Sequence, residues 1–261
     1  MAVIETALSA APKVQIKEND DVSVIILLEK NFGEMMKPYD MKIWGKKMWE
    51  WIAMACDGYA VKTMPCTPES DVLSLIKPLL NESKYTVVLY SDTPLFKRQT
   101  LSEIISYCMG RDLNVLKLKR GYVFNTEYVR NAESIQALQM QDFGDDDFML
   151  VDNYLSFSKA TEILKRRIIT YHLQNGVLIL DPKTTFIDAD VIIEHGTIIE
   201  PNNYIKGTSY IGRNCRIEFG NVVENSIISD GCILRSSSVI ESRISENTVV
   251  GPFENVFGKS S

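Results

Sequence analysis

The chain is short of the residues that most often advertise chemistry. It has two histidines, His172 and His195, and a lone histidine without positioned partners makes a poor general base. Its five cysteines, Cys56, Cys66, Cys108, Cys215 and Cys232, are odd in number, widely spaced and free of any CxxC pair. That excludes both a disulfide framework and a cysteine zinc site. The longest apolar run, "VIILL" at 24–28, is far too short to cross a bilayer. The first residues carry acids early and lack a basic start followed by an apolar core, so no signal peptide is expected. Positive charge is also scarce. Lys and Arg number 28 against 34 Asp and Glu, for a formal charge of −6, which argues against a nucleic-acid partner. The two basic runs, "KLKRG" (117–121) and "LKRR" (164–167), read as a solvated strand end and a helix face. These absences predict a cytoplasmic protein with no membrane partner.

What is present is an ordinary folded composition, 45% hydrophobic and 24% charged over 261 residues, enough for one large or two ordinary domains. From residue 187 the rhythm becomes distinctive. Aliphatics recur every six residues at Ile187, Ile193, Ile199, Ile205, Ile211, Ile217 and Val223. The series resumes at Ile228, Leu234 and Ile240, then at Ile244, Val250 and Val256. Two residues before most of these stands a small side chain: Thr197, Asn203, Ser209, Cys215, Asn221, Ser226, Cys232, Ser238, Thr248. Neither the helical nor the strand period gives this pattern. A hexapeptide repeat does, and it specifies a parallel β-helix with three short strands per coil. Thirteen repeats predict about four coils, a stub roughly 20 Å tall at the usual strand spacing.

The first half alternates. "VSVIILL" (22–28) and "YTVVLYS" (85–91) have the length and continuity of strands buried on both faces. "LNVLKLK" (113–119) adds a third strand. Helices are expected over 45–58, ending at Gly58, over 68–80 with a first-turn Pro68, and over 100–110. The last of these carries a capping box of Thr100 and Glu103 and closes at Gly110. Such alternation predicts a parallel, doubly wound α/β sheet. Residues 158–176 read as an amphipathic connecting helix. Trp44, Trp49 and Trp51 stand at helical spacing and read as packing residues. The acidic run at 145–147 reads as a solvated loop.

Three stretches carry a family resemblance. "VVLYSDTPLF" is similar to a strand ending in Gly-Asp-x-Pro-Leu, with Ser91 where Gly is usual. "LVDNYLSFSKATEILKRRI" resembles a Val-Asn-Asn-Arg segment and its following helix. "NGVLILDPKTTFIDADVIIEHGTIIEPNNYIKGTSYIGRNC" resembles an entry into a β-helix, down to "GPF" at 251–253. All three point to the bifunctional N-acetylglucosamine-1-phosphate uridyltransferase/glucosamine-1-phosphate acetyltransferase family. The resemblance implies an α/β nucleotidyltransferase-like (Rossmann-like) domain followed by a short left-handed parallel β-helix of hexapeptide repeats. The expected organisation is an extension at 1–20, a reduced α/β domain at 21–153, a connecting helix at 154–176, a β-helix at 177–257 and a tail at 258–261. By the same resemblance, Asp92 and Asp152 fall where the family binds its catalytic Mg²⁺, and the β-helix implies a homotrimer. The implied partner is a nucleotide or nucleotide-sugar.

The stretch "VIILLEKNFGEMMKPYDMKIWGKKM" (24–48) departs from the family. Of the family's Gly-rich loop only Gly33 remains, Glu34 stands near the expected Arg, and Tyr39 follows Pro38 in place of Lys. Lys30, Lys37 and Lys42 are left to supply positive charge for a nucleotide, Lys37 and Lys42 being the expected binding residues, with Glu29 and Glu34 opposing them. Only about forty residues separate Gly110 from Phe148, where the family has a whole sugar-binding subdomain. The family's acetyl transfer uses a His farther along a longer β-helix, so that activity is not expected here. Three readings follow: a degenerate binding or scaffold subunit without the ancestral catalysis, an active Mg²⁺-dependent nucleotidyltransferase with an altered substrate, and a purely structural trimer.

Overall fold

A computed structural model describes residues 21–29, 31–32, 35–36, 40–135, 139–144 and 146–258. The chain divides into two compact units whose boundary does not follow the sequence. One comprises Met1–Glu29, Ile52–Ser91 and Phe96–Phe148; the other comprises Lys30–Trp51, Asp92–Leu95 and Met149–Ser261. Ahead of the repeat region lie β1 (Val22–Glu29), β2 (Asn31–Phe32), β3 (Met35–Met36), β4 (Lys42–Ile43), β5 (Lys46–Lys47), β6 (Ala60–Cys66), β7 (Tyr85–Tyr90), β8 (Val115–Leu118), β9 (Gly121–Asn125) and β10 (Gln139–Met140). The helices are α1 (Met48–Ala55), α2 (Val72–Ile76), α3 (Arg98–Arg111), α4 (Thr126–Asn131) and α5 (Tyr154–Gln174). Among the described residues no helix is long and apolar enough to cross a membrane.

In the first unit β1 lies between β7 and the edge strand β6 in a six-stranded sheet of order β10-β8-β9-β7-β1-β6. Its run of valines, isoleucines and leucines is buried from Val22 to Leu27, as a strand covered on both faces requires. β1 pairs in parallel with β6 and β7. The expectation of an all-parallel sheet is corrected at β9, which runs antiparallel to both β7 and β8. A tight β8–β9 connection replaces the long crossover that two parallel neighbours need. β6 and β9 were not read from the sequence at all.

The helix boundaries are also corrected. Asp71 caps α2 by accepting from the Ser74 amide at 3.0 Å, so Pro68 lies outside that helix. α3 begins after Lys97 and passes through Gly110 to a left-handed cap at Asp112, φ +49°. Thr100 therefore caps nothing. Its hydroxyl donates to the carboxylate of Asp147, which also takes the Lys97 ammonium at 2.5 Å. Asp147 is 2% exposed, so the acidic run is not simply a solvated loop: its last member anchors the start of α3. The stretch 45–58 splits into a hairpin and a helix. β4 and β5 are joined through Trp44 and Gly45, both at positive φ, the two-residue turn whose twist matches its strands. Trp44 thus sits on a turn, not on the helix that carries Trp49 and Trp51.

In the second unit α5 is followed by strands of two or three residues that run through three parallel sheets in turn, of five, five and four strands. Ile192 pairs with Tyr210, eighteen residues on, which is three repeats of six. Ile187, Ile193, Ile199, Ile205, Ile211, Ile217, Val223, Ile228 and Leu234 form one buried stack. At the next step the expectation is off by one. Val239, opposite Val223, is fully buried in place of Ile240, and Ser237 takes the buried position expected of Ser238. The corner residues are small, as expected, but they are also hydrogen-bonded to one another. Asn203 Oδ1 accepts from the Asn221 amide at 2.8 Å and from its Nδ2 at 3.0 Å. Asn203 Nδ2 donates to the Glu200 and Glu218 carbonyls at 2.7 and 2.9 Å. Asn221 Oδ1 then takes the Ser237 amide at 2.9 Å.

Asn203→Ala removes these partners from buried groups and is expected to cost about 2 to 4 kcal/mol, measured by chemical denaturation. His172, near the end of α5, is 2% exposed with no hydrogen-bond partner at Nδ1 among the described residues, and burial pushes it down to about 4. The unfolded chain takes up this proton near the ordinary histidine value of 6.5, the folded chain only near 4. Its contribution to stability is therefore complete above pH 6.5 and falls by about 3 kcal/mol as the pH drops toward 4. Denaturation across that window with His172→Phe, which removes this slope, checks the assignment.

Candidate functional site

In an α/β sheet a ligand is expected outside the carboxyl ends of the parallel strands. At the end of β1 stands Glu29, a carboxylate 3% exposed. Its backbone amide donates to Ser91 Oγ at 3.3 Å, and the Ser91 amide donates to the Leu27 carbonyl at 2.9 Å. Both bonds tie the ends of β1 and β7 together. Arg120, in the β8–β9 turn, reaches Glu29 Oε1 at 2.9 Å, and its guanidinium lies 4.0 Å from the centre of the Tyr90 ring. Burial pushes the Tyr90 phenol up to about 12, and Arg120 works in the opposite direction. Cys66 closes the row opposite Glu29 in register. The strand end is thus filled by a paired carboxylate, a stacked guanidinium and a protonated phenol. The sequence reading had "KLKRG" as a solvated strand end; Arg120 corrects it. The antiparallel hairpin that delivers this residue carries no signal at its own positions.

The segments holding Asp92 and Asp152 meet in the second unit. The Val151 amide donates to the Asp92 carbonyl at 2.8 Å, and Leu95 and Val151 share a buried cluster with Ile43, Met48, Ala160 and Leu164. The carboxylates themselves are disposed differently. Asp92 has no exposed surface. Asp152 is drawn into the start of α5, where its Oδ1 accepts from Asn153 Nδ2 at 2.8 Å and from Ser156 Oγ at 3.2 Å. Asn153 caps the helix by taking the Ser156 amide at 2.9 Å, and Ser156 Oγ in turn takes the Asn153 amide at 3.1 Å. A hydrated Mg²⁺ wants open carboxylate oxygens and keeps several waters. A fully buried Asp92 and a cap-engaged Asp152 do not fit that ion as they stand. Among the described residues there is no cluster of three or more His, Cys, Asp or Glu able to hold a metal.

Lys42 is exposed on β4, and Lys37 lies outside the described residues. Trp44 offers no free ring for a base. It stacks on Phe186 with centroids 5.8 Å apart, and its Nε1 donates to the Thr161 carbonyl at 2.7 Å. Trp51 Nε1 likewise donates to the Ile43 carbonyl at 3.0 Å. His195 is exposed in a turn.

No protein-family model matches the chain. Curated proteins do. The Bifunctional protein GlmU of Clostridioides difficile is 27% identical over 253 residues, covering 72% of this chain and 55% of the relative. The GlmU of Clostridium botulinum is 45% identical over 103 residues, 40% of this chain and 23% of the relative. The GlmU of Lactobacillus helveticus is 38% identical over 122 residues, 47% and 26% respectively. The chain is similar to these GlmU proteins over part of their length. The matches span from about a quarter to about half of the length of these relatives. Among solved structures, a CMP:2-keto-3-deoxy-manno-octonic acid synthetase complexed with CTP aligns with a TM-score of 0.44 at 10% identity, over 56% of this chain and 99% of that one; no argument rests on a likeness at that level.

The strand-end ion pair has a measurable signature. Arg120→Met leaves the Glu29 carboxylate buried without its guanidinium and is expected to cost about 3 kcal/mol. The double substitution with Glu29→Leu should recover most of that loss. Equal stability of the two variants in chemical denaturation would show that the pair does not carry the strand end.

Proposed function

We propose that the chain is a sugar-nucleotidyltransferase-like protein that binds or scaffolds without performing nucleotidyl transfer. The Glu29–Arg120 pair carries this reading. The resemblance places the triphosphate on a Gly-rich loop following the first strand, held by an Arg and a Pro-Lys pair. At the end of β1 this chain instead has a buried carboxylate, and the nearby guanidinium is already committed to it. A polyphosphate arriving there would meet a like charge in place of donors. Loss of one preorganised charge-stabilising group costs on the order of 10² to 10³ in rate, and in 24–48 several are replaced together. Magnesium belongs to this reading only as companion to a bound nucleotide, and would require Asp92 and Asp152 both to turn outward.

The repeat region supports the scaffold part. We read its three parallel sheets as a left-handed β-helix, associating side by side into a homotrimer as the resemblance implies. Exposed apolar side chains on its outer faces, among them Leu178, Phe219 and Val249, favour such packing over a solvated monomer. Nucleic acid is not a partner of a chain with this charge.

Calorimetric titration with UTP and with UDP-N-acetylglucosamine, each with and without Mg²⁺, tests the binding half. Incubation with UTP and N-acetylglucosamine 1-phosphate tests the chemistry. Binding without pyrophosphate release is expected; release that disappears in Asp92→Ala would overturn the non-catalytic reading. Sedimentation is expected to give about 89 kDa, three times the chain mass of 29.6 kDa.

A further inference from the structure

The exposed side of α5 carries a groove that the proposed function does not use. It lies between the helix and the turn at 181–183 and has a volume of about 500 Å³, within the range of small-molecule sites. Its floor is apolar, formed by Ile169, Leu173 and Pro182, with Leu173 left 42% exposed. Its rim carries three cations, Lys165, Arg166 and Lys183, in a chain whose net charge is −6. Lys165 is fixed: its ammonium donates to the Lys183 carbonyl at 2.6 Å and lies 4.0 Å from the centre of the Phe186 ring.

The other two cations are held less tightly, Lys183 acting on the Asp181 carboxylate through charge alone. Among the described residues neither Arg166 nor Lys183 forms an ion pair. Two carboxylates are near. Asp181 is spent on the turn, accepting from the Lys183 amide at 3.0 Å and from Thr184 Oγ1 at 2.8 Å. Glu162 remains on the rim, so two acids stand against three bases and the groove keeps a net positive charge. A neutral apolar guest would leave those charges unanswered, and inorganic phosphate alone would leave the floor wet. The combination calls for a ligand with both parts.

We propose that this groove binds a small organic anion. An apolar or aromatic body lies on Ile169, Leu173 and Pro182, and a carboxylate, sulfonate or phosphate head is met by Arg166 and Lys183. The site is independent of the nucleotide reading, since it uses neither Asp92 nor the strand end.

The test titrates 1-anilinonaphthalene-8-sulfonate into the full chain and follows its fluorescence, with N-phenyl-1-naphthylamine as the same body without the anion. Saturable one-to-one binding of the sulfonate is expected. It should weaken by roughly tenfold or more both for the uncharged compound and in the Arg166→Glu/Lys183→Glu variant, the scale of lost charge-assisted contacts. Both substituted residues are exposed, so the thermal midpoint should stay unchanged. Leu173→Ser, which keeps the cations and removes part of the floor, should also weaken binding and gives a second reading if charge reversal disturbs the fold. Absence of saturable binding, equal affinity for the two compounds, or undiminished binding in these variants would overturn the proposal.

Discussion

A carboxylate buried at the end of an interior strand has to be met by a cation, and the way Arg120 reaches Glu29 organises the sheet around it. β9 enters antiparallel between β7 and β8, so the β8–β9 turn falls at the carboxyl end of β7. Gly121 is required there. It sits at φ +130°, and a Cβ would collide with the Val88 carbonyl oxygen. With the turn so close, the side chain one residue earlier lies across Tyr90 and reaches Glu29. A change of strand direction and the filling of the strand end are therefore one event. A doubly wound sheet would have left this place to a βα loop, the usual site of phosphate binding.

The repeat unit obeys a different constraint. Its strands are too short to hold register by themselves, so the corners must do it. Each corner residue has to be small enough to turn and polar enough to satisfy the backbone groups that the turn frees. Asn203 and Asn221 meet both demands by passing hydrogen bonds from one coil to the next. Where the corner residue is a cysteine, sulfur does the same work more weakly: Cys215 and Cys232 donate to the Ser229 and Ser245 carbonyls at 3.1 and 3.0 Å. Their thiols are pushed up by burial, which marks them as structural and unreactive.

This difference explains what could be read from the sequence. The six-residue spacing is a local property repeated many times, so the stack from Ile187 to Leu234 was legible in full. It slipped at Val239 because two aliphatics stand side by side and spacing alone does not choose between them; the pairing with Val223 does. The sheet was legible only as strands. That β9 reverses direction depends on pairing across the chain, and the partnership of Glu29 with Arg120 spans about ninety residues. Thr100 misled for a related reason. The pattern of a capping box was present, but its hydroxyl is taken by Asp147, forty-seven residues on. At Trp44 the signal was turn chemistry without the usual Asn or Asp before glycine.

The same geometry bears on why this chain still resembles nucleotidyltransferases at Asp92 and Asp152. Ile43 and Met48 from the "KIWGKKM" stretch, Leu95 from "DTPLF" and Val151 from "LVDNY" pack on one another and on Leu164 of α5. The Leu95 carbonyl accepts from Arg167 at 2.8 Å, and the Asp92 carbonyl accepts from Val151. The hairpin turn is seated on the first repeat, where the Trp44 carbonyl takes the Ala189 amide at 3.0 Å and Lys46 pairs with Asp190 at 2.7 Å. Gly45 belongs to the same contact, since a Cβ there would come within 3.2 Å of the Asp188 carboxylate. Each motif that carries the resemblance thus has a packing or hydrogen-bonding task inside the second unit. These segments together join a helix to the first coil of the repeat region. Asp92 and Asp152 sit within this packing, each flanked by residues that hold the helix, the hairpin and the first coil together.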